Sequence, residues 1–172
     1  MAKFSKVSFE QFEKDYKAIY GDEITDEQIR EMYDNIKLPK RATAGSAGYD
    51  FFAPFTMQIR SYNELLIPTG IRIKLEPGTF MMLAPRSGLG FKHYFRLGNT
   101  IGILDEDYFG AKNEGHIMAK VRVENHEDDT VTIRTGEAFM QGIILPYGVT
   151  EDDDSTAKRQ GGIGSTDATK TN

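Results

Sequence analysis

Cysteine is absent from the 172-residue sequence. Without it the chain can form no disulfide, no thiolate nucleophile, no cysteine-ligated zinc site and no iron–sulfur cluster. A cysteine-free chain fits a reducing cytoplasm, which is the location we expect. Long apolar runs are missing too, since the longest is the five residues of segment 80–84, so no membrane span is expected. The first twenty residues mix lysine and glutamate and predict no secretory signal.

A broadly basic face is also missing, because 21 lysines and arginines stand against 26 aspartates and glutamates, a net charge of −5. This balance argues against binding to a nucleic-acid polymer, which requires many cations on one face. The excess acid lies at the two ends, with a net charge of −3 over residues 1–37 and −2 over 151–172. Residues 38–150 are neutral overall, so they can still bind a small phosphorylated ligand with a few well-placed cations.

Glycine is scarce at the start of the chain and frequent afterwards. Only Gly21 lies in the first part, whereas 13 glycines lie in 38–150. A glycine-poor, charged start predicts helix, and a glycine-punctuated middle predicts strands and turns. We therefore divide the chain into a helical hairpin extension (1–36), a β-domain (37–150) and an acidic linker with a flexible C-terminal arm (151–172).

The extension is predicted to contain two helices, over residues 8–20 and 26–36. Segments 8–11 and 25–28 have the Ser/Thr-x-x-Gln spacing of a capping box, and Gly21 is suited to end the first helix. Apolar and aromatic residues recur at helical spacing: Phe9, Phe12, Tyr16, Ile19, Ile29, Met32, Tyr33 and Ile36. The simplest interpretation of this aromatic stripe is a docking face against the β-domain. The alternative is a surface for a protein partner.

The middle of the sequence predicts strands. Side chains in 117–123 and 131–134 alternate between apolar and polar, and shorter apolar runs are bounded by Gly, Pro or Asn. Many short strands at close spacing predict a sandwich, jelly roll or barrel. His93, His116 and His126 have no metal-ligand spacing, so we expect them at surface or strand positions.

Two clusters in this middle part are suited to phosphate chemistry. AGSAGYD, residues 44–50, combines small residues that allow close backbone approach with the carboxylate of Asp50. PRSGLG, residues 85–90, offers a guanidinium, a hydroxyl and flexible amides, which suit phosphate oxygens. Taken alone, the first could also be a strand edge and the second a basic turn.

Two further clusters lie towards the C-terminus. GNTIGILDEDYFG, residues 98–110, leads from apolar residues into Asp105, and a carboxylate that leaves an apolar strand can act as a general base or a metal ligand. Tyr108 offers a flat face for a sugar or a base. GGIGST, residues 161–166, offers consecutive amides and two hydroxyls to an anion. Taken alone, these segments could also be an acidic hairpin tip and a flexible tail.

Together, the order and spacing of the clusters resemble the trimeric dUTPases, the deoxyuridine triphosphate nucleotidohydrolases. Five motifs occur in that family's order: AGYD at 47–50, PRSGLG at 85–90, GILDEDYFG at 102–110, GEAFMQGIILP at 136–146 and RQGGIGST at 159–166. The resemblance extends from about residue 37 to 166 and leaves the extension outside. It implies a mainly β, dUTPase-like distorted jelly roll with an N-terminal helical hairpin extension, in a homotrimer whose sites lie at subunit interfaces.

The reaction implied by the resemblance is hydrolysis of dUTP to dUMP and pyrophosphate with Mg²⁺, through attack of water on the α-phosphate. Asp105 resembles the general base for that water. Asp50 resembles the residue that holds Mg²⁺ through water, with Gln141 as a second, outer-sphere candidate. The residues that match the family's substrate contacts are Arg86, Ser87, Gly88, Asn99, Gly102, Tyr108, Gln141, Arg159, Gly162, Ser165 and Thr166.

The resemblance also divides these residues by role. Those in PRSGLG, together with Gln141, would contact the phosphates. Asn99 and the backbone from Gly102 would read the uracil edge, and Tyr108 would pack on the deoxyribose and exclude a 2′-hydroxyl. The residues from 159 onwards would close over the triphosphate from a third subunit.

Some positions depart from the family's pattern. Ile163 stands where an aromatic residue usually stacks on uracil. Residues 111–118 form an apparent insertion whose only ring is His116, so one hypothesis gives His116 the role of a lid over the uracil. Arg159 lies one residue closer to the glycine pair than in many members, so Lys158 is an alternative closing cation.

Two alternatives to a dUTPase stay open on the sequence alone. A dCTP deaminase shares the fold but lacks the pattern that joins PRSGLG to the Asp-Tyr segment. A nucleotide-gated regulatory or binding protein would use residues 1–36 to contact a protein partner.

Overall fold

A computed structural model describes residues 1–125, 129–157, 159 and 161. The fold is mainly β, a distorted jelly roll preceded by two helices. The strands of the described residues are β1 Lys3–Lys6, β2 Lys40–Arg41, β3 Tyr49–Phe52, β4 Met57–Arg60, β5 Glu64–Pro68, β6 Ile71–Lys74, β7 Thr79–Pro85, β8 Arg96–Leu97, β9 Gly102–Leu104, β10 Met118–Arg122, β11 Thr130–Ile133 and β12 Ala138–Pro146. The helices are α1 Phe9–Tyr20, α2 Asp26–Asp34, α3 Ser87–His93 and a 3-10 helix, Glu106–Gly110.

The largest sheet has the strand order β2-β3-β12-β7-β9, and its strand pairs are antiparallel. Strand β12 lies between β3 and β7, so Gln141 faces Asp50 on one side and Ala84 on the other. A second sheet has the order β5-β10-β8, and two pairs, β1-β6 and β4-β11, complete the fold. The central position of β12 therefore brings the AGYD, PRSGLG and GEAFMQG segments together in one sheet.

The alternation in the sequence corresponds to burial in the structure. In β10, Ala119 and Val121 are buried and Lys120 is exposed. In β11, Val131 and Ile133 are buried between exposed threonines. The two predicted strands are therefore confirmed, because a strand with one buried face sends alternate side chains into the core.

Both predicted helices are present, and their first turns differ. Ser8 caps α1, since its Oγ accepts a hydrogen bond from the N–H of Gln11 at 3.2 Å. A complete capping box forms only at α2, where the Thr25 N–H also donates to Oε1 of Gln28. At α1, the N–H of Ser8 is instead donated to the Glu114 carboxylate at 2.8 Å. The capping box predicted at α1 is thus only half formed.

The aromatic stripe of the two helices packs on the β-domain, as the docking interpretation predicts. Phe12 and Ile29 are fully buried in the same core as Phe51 and Ile67. The Tyr20 hydroxyl donates to a main-chain carbonyl of β5 at 2.5 Å. Residues 1–36 therefore share one hydrophobic core with the rest of the chain, and the buried members of the stripe, Phe12, Tyr16, Ile29 and Ile36, are not available as a surface for another protein.

Two elements differ from the sequence-based expectations. Strand β1 pairs with β6, although its sequence KFSK has only one apolar residue and no alternation to reveal a strand. The segment after Arg86, for which a basic turn was one interpretation, forms α3, whose first turn is closed by the N–H groups of Leu89 and Gly90 donating to the Arg86 carbonyl. Among the helices of the described residues, none combines the length and apolar character that a membrane crossing requires.

Candidate active site

A cavity of about 240 Å³ opens where β9 ends. Five of the sequence-predicted site residues line it: Asn99, Gly102, Asp105, Tyr108 and Arg159. Apolar side chains of β7, β8, β9 and β10 form the remainder of the wall together with Met140 and Lys120. Gly102 fits here because an added Cβ would lie 3.1 Å from the Cβ of Leu83 on the paired strand.

The carboxylate of Asp105 projects from the point where β9 gives way to the 3-10 helix. Its side chain is 52% exposed, so water reaches it. The guanidinium of Arg159, only 13% exposed, forms ion pairs with Asp105 and with Asp107, the latter through Nε at 2.8 Å. The same guanidinium lies 5.7 Å from the centre of the Tyr108 ring. The arm cation and the carboxylate expected to be the base therefore meet in one cavity.

Tyr108 is buried, with a ring face in the cavity wall and its hydroxyl turned inward. The hydroxyl donates to the main-chain carbonyl of His116 at 2.8 Å and accepts from Nδ2 of Asn113 at 3.0 Å. Burial raises the pKa of the Tyr108 phenol, and this effect is larger than the opposite effect of Asn113 and Arg159. The phenol is therefore protonated at neutral pH and can make both hydrogen bonds.

His116 does not cover the cavity. Its side chain is fully buried, with Nε2 accepting from the N–H of Gly70 at 2.8 Å and Nδ1 lying 2.5 Å from the Asp15 carboxylate. The lid hypothesis is wrong for this residue, and so is the expectation of a surface or strand position. The ring points away from solvent because α1 supplies a carboxylate partner that sequence spacing does not reveal.

The residues expected to contact phosphates lie together at the other end of β7. The Nε atom of Arg86 is 3.4 Å from Oδ1 of Asp50, and Nε2 of Gln141 donates to the Pro85 carbonyl at 3.3 Å. Gly48 allows this packing, since a Cβ there would overlap Oε1 of Gln141. The close approach predicted for the AGYD motif is thus confirmed.

The two groups of residues are separated along β7. Leu104, next to Asp105, pairs with Met81, while Arg86 follows the last residue of the same strand. Asp105 and Arg86 are therefore roughly 20 Å apart, because each residue advances a strand by about 3.3 Å. Arg86 and Ser87 line a depression of their own rather than the cavity of Asp105.

Gly88 lies in α3, next to Ser87. The other predicted contacts, Gly162, Ser165 and Thr166, lie outside the described residues, as do Ile163, Lys158 and His126. Sequence reasoning did not select three residues that make hydrogen bonds behind the cavity wall. Asn113 bonds to Tyr108, Asp15 to His116 and Glu114 to Ser8. Asp15 lies in α1, where no local pattern marks it. For Asn113 and Glu114 the signal was the apparent insertion of residues 111–118. Its contacts with the extension depend on the tertiary fold.

Asp50 and Gln141 are the residues expected to hold Mg²⁺. In the described ranges, no three histidine, aspartate or glutamate side chains converge on a possible metal position. Asp50, with 14% of its side chain exposed, lies beside Arg86 among the residues expected to contact the phosphates. This arrangement fits an ion that keeps several waters and binds phosphate oxygens, because such an ion is held by one or two carboxylates and the substrate rather than by a protein cage.

Comparison with known proteins points to one family. A family model described as dUTPase matches residues 34–167. The deoxyuridine 5′-triphosphate nucleotidohydrolase of Lactococcus lactis subsp. lactis (strain IL1403) is 38% identical over 136 residues, which cover 77% of this chain and 89% of that protein. The crystal structure of dUTPase from Streptococcus mutans has a TM-score of 0.63 and 30% identity, and covers 86% of this chain and 98% of that one.

A further similar structure is a variant of the dUTPase from phage phi11 of S. aureus. It has a TM-score of 0.62 at 16% identity and covers 91% of this chain and 97% of that chain, which supports the fold alone. The family model extends over most of the chain and includes the motifs that bear Asp50, Arg86, Asp105 and Gln141. The chain therefore belongs to the dUTPase family.

Proposed function

We propose that this protein hydrolyses dUTP to dUMP and pyrophosphate. Family membership and relatives named deoxyuridine 5′-triphosphate nucleotidohydrolase support the reaction. The observation that carries the proposal is the cavity in which the solvent-accessible carboxylate of Asp105 stands beside the ring of Tyr108. A carboxylate and a flat sugar-sized face are the two groups that water activation and nucleoside binding require.

Asp105 acts as the general base in this proposal. It accepts a proton from the water that attacks the α-phosphate, and it holds that water in line with the leaving pyrophosphate. General-base assistance contributes about 10²–10⁴-fold to a rate. The remaining acceleration comes from positioning and from stabilisation of the phosphate charge, because phosphate transfer requires little covalent chemistry from the protein.

The walls of the cavity bind the nucleoside. Asn99 and the main chain from Gly102 hydrogen-bond the uracil edge, and the face of Tyr108 packs against the deoxyribose. An added 2′-hydroxyl would meet the ring, so UTP is excluded. Both Asn99 and Gly102 line the same cavity as Tyr108, which supports this assignment.

The phosphates are bound by the residues that lie together at the Pro85 end of β7. Arg86 supplies charge, Ser87 and Gly88 supply a hydroxyl and an amide, and Gln141 supplies a side-chain amide. The arm closes over the triphosphate through Arg159, which must first leave its ion pair with Asp105. The arm residues Gly162, Ser165 and Thr166 belong to the same closing segment.

Mg²⁺ is part of the proposal and would be held by Asp50 through water, with Gln141 as a further outer contact. When bound, the ion neutralises phosphate charge and fixes the conformation of the triphosphate. The phi11 dUTPase described above contains a structural Mg(II) ion, which is a property of that protein. In this chain, the side chains of Asp50 and Arg86 are adjacent, so their opposite charges balance each other when no substrate is bound.

We also propose that the protein is a homotrimer in which each site takes residues from several chains. The separation of roughly 20 Å along β7 supports this, because one nucleotide has to contact both Asp105 and Arg86. A cytoplasmic location is part of the same proposal and is based on the cysteine-free sequence. A deaminase is disfavoured by the family match. A partner-binding role for residues 1–36 gains little from a stripe of which Phe12, Tyr16, Ile29 and Ile36 are buried.

The test is pyrophosphate release from dUTP, UTP, dTTP and dCTP with Mg²⁺. We expect activity on dUTP, and for Asp105→Asn a fall in kcat of about 10²–10⁴-fold with dUTP binding retained. The matched control is Glu106→Gln, since Glu106 points away from the cavity and accepts from the Gly78 N–H at 2.6 Å. Full activity of Asp105→Asn would overturn the mechanism, and ammonia release from dCTP would favour the deaminase.

A further inference from the structure

The loop between the 3-10 helix and β10, residues 111–117, holds the hydroxyl end of Tyr108. The Tyr108 hydroxyl has one proton, which it donates to the His116 carbonyl, and a lone pair, which accepts from Nδ2 of Asn113. Oδ1 of Asn113 in turn accepts from the N–H of Gly115 at 3.2 Å. The orientation of the Asn113 amide is therefore fixed at both ends, and the ring of Tyr108 is held at the atom farthest from its backbone.

The loop is packed tightly against the 3-10 helix. Gly115 has a φ of +71°, and an added Cβ would lie 2.7 Å from the Tyr108 carbonyl oxygen and 2.8 Å from the Cα of Phe109. Glu114, just before it, also has a positive φ of 58°. A positive φ is costly at a non-glycine residue such as Glu114 unless its surroundings hold it, whereas Gly115 adopts it freely. The conformation at Glu114 therefore depends on contacts made from outside the loop.

The N-terminal extension makes those contacts at two points. The Ser8 hydroxyl and N–H both donate to the Glu114 carboxylate, at 2.6 and 2.8 Å. The Asp15 carboxylate lies 2.5 Å from Nδ1 of His116. Because Nε2 of His116 accepts from the Gly70 N–H, the ring carries its proton on Nδ1 and donates it to Asp15. The imidazole is thus fixed between α1 and the β5–β6 turn.

These contacts form a continuous path from the extension to the cavity. The Asp15 carboxylate fixes the His116 side chain, the His116 carbonyl fixes the Tyr108 hydroxyl, and a face of Tyr108 forms the cavity wall. Arg72 adds a second connection, donating to the Phe109 carbonyl at 2.8 Å while facing the Glu114 carboxylate at 3.6 Å. A ring held in this way cannot tilt to make room for a larger sugar.

We propose that Asn113 and His116 are positioning residues for Tyr108, and that the N-terminal extension, through Asp15, sets how strictly the enzyme selects deoxyribose over ribose. This inference rests on the proposed function, since it takes Tyr108 as the face that meets the sugar. It predicts that loss of the support lowers the ratio of kcat/KM for dUTP to kcat/KM for UTP. A merely structural role would lower both values together.

The first test is a double-mutant cycle between Asn113→Ala and Tyr108→Phe. Asn113→Ala should lower the dUTP-to-UTP ratio about fivefold, the effect of one hydrogen bond. In the Tyr108→Phe background, which lacks the hydroxyl, the same substitution should change the ratio less than about twofold, because its partner is already gone. Asn125→Ala is the matched control, since Asn125 bonds only to Asp129 among its described contacts.

The second test addresses the extension. Asp15→Ala should lower the ratio about as much as Asn113→Ala does, and Asp15→Asn, which keeps an oxygen acceptor for the His116 proton, should restore most of it. Asp26→Ala is the control, because Asp26 pairs with Lys17 on the outer side of the same hairpin. Its ratio should equal that of the unmodified protein.

The outcomes distinguish a failure of this inference from a failure of the proposed function. No pyrophosphate release from dUTP by the unmodified protein would overturn the proposed function itself. Activity on dUTP with an unchanged ratio in Asn113→Ala and Asp15→Ala would overturn the inference alone. An equal effect of Asn113→Ala with and without the Tyr108 hydroxyl would do the same, because the residue would then act by another route.

Discussion

The Asp15 carboxylate lies 2.5 Å from Nδ1 of His116, a residue 101 positions later in the chain. Burial alone would raise the pKa of Asp15, but hydrogen bonds from His116 and Gln11 outweigh it and hold the pKa below its usual value. A second carboxylate in the same region, Glu114, also has a lowered pKa, because hydrogen bonds from Ser8 exceed the effect of its burial. The extension is therefore attached to the β-domain by ionised carboxylates.

The first prediction concerns acid stability. Because the pKa of Asp15 is lower in the folded state, its contribution is complete above the unfolded pKa of about 4 and is lost as the pH falls through the folded value. Asp15→Asn should therefore cost roughly 1–2 kcal/mol of unfolding free energy at pH 7 and much less near pH 3. Urea unfolding at pH 7, 5, 4 and 3 measures this.

The control for the acid series is Glu23→Gln, an exposed carboxyl between the two helices. Its difference from the unmodified protein should stay small at each pH. A cost of Asp15→Asn that remains constant from pH 7 to pH 3 would contradict the argument from the pKa.

Gly115 provides a second prediction. Gly115→Ala places a Cβ against the main chain of Tyr108 and Phe109 and retains a positive φ. The backbone conformation alone costs about 1–3 kcal/mol, and the overlap adds to it. Thermal unfolding should show the loss, and Gly110→Ala, which meets nothing within 4 Å, is the matched control. Equal stability of the two variants would show that the loop can move away from the 3-10 helix.

A third prediction separates function from stability at the AGYD motif. Gly48→Ala displaces the end of the Gln141 side chain, which is flexible, so the folded state should lose little stability. The KM for dUTP should rise about tenfold, the effect of one misplaced hydrogen bond to a charged phosphate. Gly45→Ala, in the same segment with open space around it, should leave KM unchanged. An unaltered KM in Gly48→Ala would remove Gln141 from the phosphate contacts.

The fourth prediction tests whether the extension belongs to the core. Ile29→Ala removes a fully buried side chain and should cost about 2–5 kcal/mol in chemical denaturation. Leu38→Ala, at a position 46% exposed, should cost much less. Since Phe12 and Ile36 fill the same core, removal of residues 1–36 should leave an aggregating or unfolded chain. A stable truncated protein would show that the extension is an independent addition.

Local patterns in the sequence were enough to predict several elements. The alternation in 117–123 identified β10, because one face of that strand is buried and the other faces solvent. The capping signal at Thr25 identified the start of α2, since both of its hydrogen bonds form within four residues. Asp105 was found because a carboxylate follows an apolar stretch of the sequence, and Tyr108 because it offers a flat ring three positions later.

Features that depend on distant partners could not be predicted in the same way. His116 was expected at a surface or strand position, and its burial follows from a carboxylate that α1 brings from far away in the sequence. Strand β1 is defined by its pairing with β6, and its own sequence has almost no alternation. The division of the site into two groups required the register between β7 and β9, which no motif contains.

The length of β7 has a consequence for mixtures of inactive chains. Asp105→Asn and Arg86→Ala affect opposite ends of that strand, so each variant retains the half of the site that the other lacks. If the two are dissociated, mixed in equal amounts and reassembled as trimers, about one quarter of the sites take an unaltered Asp105 from one chain and an unaltered Arg86 from its neighbour. Two inactive preparations would then give an active mixture, and its activity would measure the fraction of mixed interfaces.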